Sequence, residues 1–203
     1  MKTKTAFVGD VHGNLTALNA MLRILAAQDL AHVVFLGDYI NKGKESREVL
    51  QELISVARSG TVTLLRGNHE TALLDALDTG NLGPFLKMGG AVTIRSYVGG
   101  RNVRADVLSD FRENLPREHV DAIRNMPETY ETEDLIAKHV PPPVSGSKFR
   151  ISAHLPIGEL PVVREGSAQL DTGCDGTGGR LTALLWPTLD FVQVESSGDI
   201  VRP

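Results

Sequence analysis

Three short segments of the chain carry side chains that bind metal ions, and each segment directly follows a short apolar run. They are Gly9-Asp10-Val11-His12-Gly13-Asn14, Gly37-Asp38-Tyr39 and Arg66-Gly67-Asn68-His69-Glu70. Together they offer carboxylates, an imidazole and an amide, which make a mixed set of oxygen and nitrogen ligands. Such a set suits a pair of Mn, Fe, Zn or Mg ions better than a structural zinc ion, which takes a closed set of cysteine and histidine ligands.

The spacing of these residues predicts how they share two ions. Asp10 and His12 are two residues apart on a segment predicted to be extended, so both side chains can point to one side and bind one ion. Asp38 arrives from the neighbouring strand, where its carboxylate can bridge both ions, and Asn68 can offer its amide oxygen to the second.

Two histidines in the later part of the chain can complete the ligands of the second ion. His139 follows Ile136-Ala137-Lys138, and His154 follows Ile151-Ser152-Ala153, so each lies at the end of a predicted strand. The alternative for both is a structural histidine that is satisfied by hydrogen bonds.

The apolar pattern predicts the elements that must position these residues. In the first third of the chain, strands alternate with helices in the order 5–8, 15–28, 33–36, 46–58, 62–65 and 70–77. This alternation predicts a parallel sheet, whose binding residues gather beyond the carboxyl ends of the strands. Residues 82–126 are predicted to be mostly helical, with Gly89-Gly90 and Gly99-Gly100 as helix breakers.

From residue 129 onward, Pro and Gly separate short apolar runs. The predicted strands are 135–140, 149–153, 161–164, 180–185 and 191–195. We expect them to form a second sheet, mixed or antiparallel, that packs against the first. The fold class is therefore α/β, and residues 1–203 are predicted to form a single domain.

Composition excludes several classes of function. The chain has 203 residues, of which 41% are hydrophobic and 23% charged, and a net charge of -4 gives no basic field for nucleic acid. The lone Cys174 cannot form an intramolecular disulfide and fits a reducing compartment. We find no apolar signal-peptide core near Met1 and no run of about 20 apolar residues that could span a membrane. A cytoplasmic protein with no nucleic-acid or membrane partner is expected.

The order of the motifs resembles that of the calcineurin-like metallophosphoesterase superfamily, and within it the small bacterial members of the phosphoprotein phosphatase (PPP) family. Gly-Asp-x-His-Gly corresponds to residues 9–13, and Gly-Asn-His-Glu, preceded by Leu65-Arg66, to residues 67–70. Further similar stretches are Phe85-Leu86-Lys87-Met88-Gly89-Gly90 through Ser96-Tyr97, Asp171-Thr172-Gly173, and Gly178-Gly179-x-Leu181-Thr182-Ala183-Leu184.

The resemblance implies a two-layer β-sandwich flanked by helices, with two divalent metal ions at the sheet ends. Of the candidate metals, Mn is the one most expected. The implied ligands are Asp10, His12 and Asp38 for one ion, and Asp38, Asn68, His139 and His154 for the other. A metal-bridging hydroxide would attack phosphorus in line, and His69 would protonate the leaving group as general acid. Nearby polar and positive side chains, namely Lys42, Arg66 and Asn68, would bind the substrate phosphate.

The chain departs from the family in its second motif, Gly-Asp-x-x-Asp-Arg-Gly. Residues 37–43 carry Asn41 in place of the second Asp and Lys42 in place of Arg. We expect Asn41 to orient His69 through its amide oxygen, without the negative charge that favours a protonated imidazole. Lys42 offers positive charge without the planar fork of a guanidinium.

A second departure lies between His139 and His154. The connection is much shorter than in the family and lacks its further phosphate-binding Arg, so Arg66 is the residue that we expect to compensate.

These observations favour a phosphoric monoester hydrolase, with a Ser/Thr phosphoprotein phosphatase as the first interpretation. One alternative is a dinucleoside polyphosphate hydrolase similar to diadenosine tetraphosphate hydrolases, a branch that also lacks the second Asp. Glu70 favours the phosphatase, whereas Asn41 favours this alternative. The other alternative is a degenerate phosphatase that binds a phosphorylated ligand with little turnover. In every case the expected partner is a phosphorylated protein or nucleotide-type molecule, and no oligomeric state is predicted.

Overall fold

The computed structural model describes residues 4–99, 106–144 and 146–201, so Gly100, one of the predicted helix breakers, lies outside them. The strands within these residues are β1 (Thr5–Val8), β2 (His32–Phe35), β3 (Val62–Leu64), β4 (Thr129–Glu131), β5 (Leu135–Lys138), β6 (Phe149–Ser152), β7 (Val162–Arg164), β8 (Ser167–Gln169), β9 (Arg180–Trp186), β10 (Asp190–Glu195) and β11 (Ile200–Val201). The helices are α1 (Leu15–Ala26), α2 (Ser46–Ala57), α3 (Asn68–Thr79), α4 (Gly83–Lys87), α5 (Gly90–Val98), α6 (Val107–Asn114) and α7 (Arg117–Asn125). Across the described part of the chain, none of these helices has both the length and the apolar character that crossing a membrane requires.

The first sheet has the strand order β11-β10-β9-β1-β2-β3. Strands β1, β2 and β3 are parallel, as the alternation of strands and helices predicts. The prediction that residues 180–185 and 191–195 belong to the second sheet is wrong, because β9 pairs antiparallel with β1 and β10 extends the same sheet. Residues 181–185 are all buried, since β9 contacts α1 on one face and the second sheet on the other.

The second sheet is mixed and has the order β4-β5-β6-β8-β7. Strands β5, β6 and β8 are parallel to one another, and the two edge strands β4 and β7 are antiparallel to their neighbours. Because β5 and β6 are parallel, their carboxyl ends lie at the same edge of the sheet. The short strands β4, β8 and β11 have no counterpart in the sequence prediction, since runs of two or three residues give no clear alternation.

Two layers of apolar packing hold the sheets and helices together. Phe7 on β1 and Leu184 on β9 point into the space between the two sheets, where they meet Leu135 and Ile151 of the second sheet. The residues that alternate with Phe7, such as Val8, point to the other face and pack beneath the helices. The molecule is therefore a two-layer β-sandwich flanked by helices, which confirms the predicted fold class.

Candidate metal centre

The predicted metal ligands lie just beyond the carboxyl ends of strands. Asp10 follows β1, Asp38 follows β2, and Asn68 is the first residue of α3, after β3. His139 directly follows β5, and His154 lies shortly after β6. Because both sets of strands end at one edge of the sandwich, these side chains from distant parts of the sequence converge there.

The segment that carries Asp10 and His12 is not extended, contrary to the prediction. Strand β1 ends at Val8, and His12 has a φ of 47°, in the left-handed region. The backbone turns here because the Asp38 carbonyl accepts hydrogen bonds from the N–H groups of both Val11 (3.2 Å) and His12 (2.9 Å). The two side chains still meet, since His12 Nε2 lies 3.7 Å from Asp10 Oδ2.

Left-handed backbone at residues other than glycine is concentrated around this edge. Besides His12, the residues with positive φ here are Asp38 (54°), Asn41 (69°), Lys42 (61°) and His154 (72°). Each such residue costs about 1–3 kcal/mol and persists only where surrounding contacts hold it. This concentration of strain marks the edge as a site whose geometry is imposed by its contacts.

Asp38 is the residue that connects two groups of ligand atoms. Its Oδ2 lies 3.8 Å from His12 Nε2 and 3.6 Å from His69 Nε2, and its Oδ1 lies 3.3 Å from His139 Nε2. The described residues thus contain one group made of His12, Asp38 and His69 and another made of Asp38, His139 and His154, each compact enough to hold a cation. A carboxylate shared between two such groups is in the position that a bridging ligand requires.

The second group also includes Asn68. Its Oδ1 lies 2.7 Å from His139 Nε2 and 2.9 Å from His154 Nδ1, and the two imidazole nitrogens are 3.1 Å apart. Nearby, Asp10 Oδ2 is fully buried and has no hydrogen-bond partner among the described residues. Buried polar atoms normally have partners, so this orphaned oxygen and the converging nitrogens fit divalent cations.

The protonation of the proposed ligands depends on their burial and on their charged neighbours. Burial raises the pKa of Asp10 well above its usual value, and the charge of Asp38 raises it further. Burial would also raise the pKa of Asp38, but the hydrogen bond and charge of His139 lower it to about 2. Burial lowers the pKa of His12 and His154. Burial would also lower the pKa of His139, but its hydrogen bond with Asp38 and the charge of Asp38 raise it. A charged Asp38 and neutral His12 and His154 are in the protonation state that binds metal, whereas His139 and Asp10 would release a proton to a bound cation.

Glu70 holds the turn that carries Asp38. The fully buried carboxylate accepts hydrogen bonds from the backbone N–H groups of Asp38 (2.9 Å), Tyr39 (2.8 Å), Ile40 (3.3 Å) and Gly67 (3.0 Å). Sequence reasoning used Glu70 only as part of a motif. Its position in the first turn of α3, three residues after Gly67, is a recognisable capping signal, but the reach to the turn after β2 has no local signature.

We expect Glu70→Gln to lower the melting temperature by roughly 3 to 10 °C, because an amide group would face backbone donors that now meet a carboxylate oxygen. Burial and the charge of Asp38 raise the pKa of Glu70 to about 7, so the melting curves are compared at pH 8, where the carboxylate is charged. Glu165→Gln, at an exposed position in the turn between β7 and β8, is the matched control and should melt like the wild type. Equal melting of Glu70→Gln and the control would contradict the anchoring role.

Asn41 and His69 are adjacent, as predicted, but the amide is turned the other way. The structure places Asn41 Nδ2, and not the oxygen, 2.7 Å from His69 Nδ1. The oxygen instead accepts a hydrogen bond from Thr93 Oγ1 at 2.7 Å. Burial lowers the pKa of His69 to about 4 against the raising effect of Asp38, which agrees with a neutral imidazole that accepts from the amide. Sequence analysis did not identify Thr93.

The two predicted phosphate-binding cations lie apart from each other. Lys42 Nζ is 3.4 Å from Asp175 Oδ2, and Asp175 lines a cavity of about 320 Å³ next to His12. Arg66 is held by Glu128, at 2.7 Å, and lines a separate cavity of about 270 Å³ together with Asn68 and His139. The structure therefore places one cation on each side of the candidate centre.

Comparison with known proteins gives one family and a consistent fold. The sequence profile of the calcineurin-like phosphoesterases matches residues 3–165. A candidate serine/threonine-protein phosphatase of Schizosaccharomyces pombe is 37% identical over 73 residues, and the serine/threonine-protein phosphatase 6 catalytic subunit of Drosophila melanogaster is 32% identical over 73 residues. Each match covers 35% of this chain but 24% of the relative, so the chain spans about a quarter of the length of these curated relatives.

Among solved structures, a candidate diadenosine tetraphosphatase superposes with a TM-score of 0.67 at 17% identity, covering 96% of this chain and 94% of that one. At this level of identity the superposition establishes the shared fold.

Proposed function

Because the chain belongs to the calcineurin-like phosphoesterase family, we propose that it hydrolyses phosphoric monoesters at a centre of two divalent metal ions. The proposed ligands are Asp10, His12 and Asp38 for the first ion, and Asp38, Asn68, His139 and His154 for the second. The observation that carries this proposal is the position of Asp38, whose two carboxylate oxygens face two separate groups of imidazoles. We propose that both ions are manganese, with Fe, Zn or Mg as alternatives, since the ligand set is made of carboxylate, amide and imidazole groups.

When bound, a pair of divalent ions activates water and stabilises negative charge on phosphoryl oxygens. Side chains of the protein would act on the leaving oxygen. His69 Nε2, 3.6 Å from Asp38 Oδ2, faces the proposed centre and would donate a hydrogen bond or a proton to the leaving oxygen. Asn41 would hold the imidazole in place through its contact with Nδ1.

Substrate binding is proposed to involve positive and polar groups on both sides of the centre. Lys42, whose side chain is 35% exposed, and Asn68 would bind oxygens of the phosphoryl group. Arg66 and Lys138 line the cavity that opens beside Asn68 and His139. The part of the substrate that is attached to the reacting phosphoryl group, including any further phosphates, would lie there. We infer a phosphoserine or phosphothreonine protein as the substrate, by analogy with the two curated phosphatase relatives.

A second candidate function is the hydrolysis of dinucleoside polyphosphates. The observation that favours it is Asn41, which leaves His69 neutral where a charged partner would favour its protonation. A phosphate leaving group needs little protonation, so a neutral His69 is a smaller handicap for cleaving an anhydride than for cleaving an alkyl ester.

The test compares metal-free and Mn-loaded protein on p-nitrophenyl phosphate, a phosphoserine peptide and diadenosine tetraphosphate. We expect two ions per chain by elemental analysis, turnover of the first two substrates, and loss of turnover when a chelator removes the ions. Turnover of diadenosine tetraphosphate with none of the peptide would establish the second candidate. Two bound ions with no turnover of any substrate would overturn the enzymatic proposal in favour of a module that binds phosphorylated ligands.

A further inference from the structure

Behind His69 lies a group of buried polar side chains that the proposed reaction does not use directly. Asn41, Ser46 and Thr93 are each 0% exposed. Thr93 Oγ1 lies 2.7 Å from Asn41 Oδ1 and 2.9 Å from Ser46 Oγ, and Asn41 Nδ2 lies 2.7 Å from His69 Nδ1. The backbone N–H of Asn41 points at both hydroxyl oxygens, at 2.8 Å from that of Thr93 and 3.2 Å from that of Ser46.

The number of protons that the two hydroxyl groups can donate determines the direction of the hydrogen bonds in this group. Each hydroxyl has one proton to donate, and Ser46 Oγ has Thr93 Oγ1 as its only side-chain or backbone acceptor among the contacts of the described residues. The Ser46 hydroxyl therefore donates to Thr93, and the Thr93 hydroxyl donates to Asn41 Oδ1. The Asn41 amide group is then left to donate from Nδ2 to His69 Nδ1.

The opposite amide orientation leaves a buried proton without an acceptor. If Asn41 Nδ2 faced Thr93, the threonine hydroxyl would have to donate to Ser46, and the serine proton would then have no partner. An unsatisfied buried polar group is destabilising, so the orientation in the structure is favoured by a factor of about 5 to 160. Thr93, at the junction of the two hydroxyls and the amide, is the residue on which this choice depends.

The direction of these hydrogen bonds determines which nitrogen of His69 carries the proton. Since Nδ1 accepts a hydrogen bond from Asn41, the proton of the neutral imidazole is on Nε2, the atom that faces Asp38. A protonated Nε2 has no lone pair for a cation, although its position beside His12 and Asp38 would otherwise suit a third ligand.

We propose that Thr93 is a positioning residue that, through Asn41, keeps His69 as an Nε2–H donor and out of the metal coordination sphere. This inference rests on the proposed function for the role of His69, but the tautomer itself does not depend on catalysis.

The tautomer is measured by long-range ¹H–¹⁵N NMR of the imidazole rings in ¹⁵N-labelled protein loaded with diamagnetic Zn²⁺. The signals of His69 are assigned by their absence in His69→Asn. We expect a protonated Nε2 and a bare Nδ1 in the wild type. In Asn41→Asp, whose carboxylate can only accept, Nδ1 should instead carry a proton, which gives the reference spectrum for the other state.

Thr93→Val keeps the shape of the side chain and removes the hydroxyl that fixes the amide. We expect the two amide orientations to become comparable, so that a second His69 state with protonated Nδ1 appears. The kcat for a phosphoserine peptide should fall up to about 10-fold, a part of the 10²–10⁴-fold value of a complete proton donor. Ser46→Ala, which leaves the Thr93 donor in place, is the matched control for the spectrum, and Thr93→Ser should restore the wild-type spectrum.

A wild-type His69 with protonated Nδ1 and bare Nε2 would overturn the inference by itself, even if Thr93→Val does not fold. A Thr93→Val spectrum identical to that of the wild type would overturn the role of Thr93. If the protein binds no metal and turns over no substrate, the proposed function fails, and the spectrum of the protein as purified still decides the tautomer.

Discussion

Asp38→Asn is expected to remove metal-dependent turnover, with kcat falling by more than about 10³-fold. The substitution keeps the shape of the side chain, and Oδ1 can still accept the hydrogen bond from the backbone N–H of His69 at 3.1 Å. It removes the only carboxylate shared by both ligand groups of the described residues. Loss of one preorganised electrostatic contact already costs 10²–10³-fold in other enzymes, and here both ions lose a ligand charge.

The measurement pairs kcat on p-nitrophenyl phosphate with elemental analysis of the bound metal. We expect Asp38→Asn to retain fewer than two ions per chain at metal concentrations that saturate the wild type. Asp75→Asn, an exposed substitution on α3, is the matched control and should retain both metal content and turnover. Full metal content together with wild-type kcat in Asp38→Asn would show that the two groups do not share a bridging carboxylate.

The sequence predicts the βαβ part of the fold well because the local pattern and the tertiary environment agree there. Strand β1 has the predicted bounds 5–8, and α2 begins at the predicted Ser46. Helix α3 begins at Asn68, two residues before the predicted start, because Gly67 is already its N-cap. Strand β9 shows where this reasoning stops. Its apolar run predicts a buried strand, but sheet membership depends on pairing with β1, more than 170 positions away, for which the run carries no signal.

A general rule of parallel sheets predicts that the candidate ligands converge, but it does not predict the residues that hold them in place. Asp10, Asp38 and Asn68 meet because parallel strands place their carboxyl ends at one edge. Glu70 and Thr93 act through contacts with a turn that is distant in sequence, so neither residue type nor spacing indicates these contacts. The amide direction of Asn41 depends on the Thr93 hydroxyl, so the sequence predicts the neighbour of His69 but not which atom faces it.

His69→Asn is expected to lower kcat by about 10²-fold on an alkyl phosphate such as a phosphoserine peptide, at the low end of the 10²–10⁴-fold value of a general acid, because a neutral His69 helps the leaving oxygen mainly by a hydrogen bond from Nε2. On p-nitrophenyl phosphate the loss should be much smaller, because the nitrophenolate leaves without a proton. Metal content should stay at the wild-type value, since the proposed ligands do not include His69. His32→Asn, at the start of β2 and hydrogen-bonded to Thr63, is the matched histidine control and should leave both rates unchanged.

The pattern of losses distinguishes the roles that the geometry allows for His69. A loss confined to the alkyl ester would assign its Nε2 to the leaving oxygen, the direction in which the Asn41 contact at Nδ1 already holds it. Equal losses on both substrates, together with one missing ion, would instead make His69 a ligand beside His12 and Asp38, where its Nε2 is close enough to serve. Unchanged kcat on the alkyl ester would remove His69 from the reaction, and the strained backbone at Asn41 would then need an explanation other than the orientation of a proton donor.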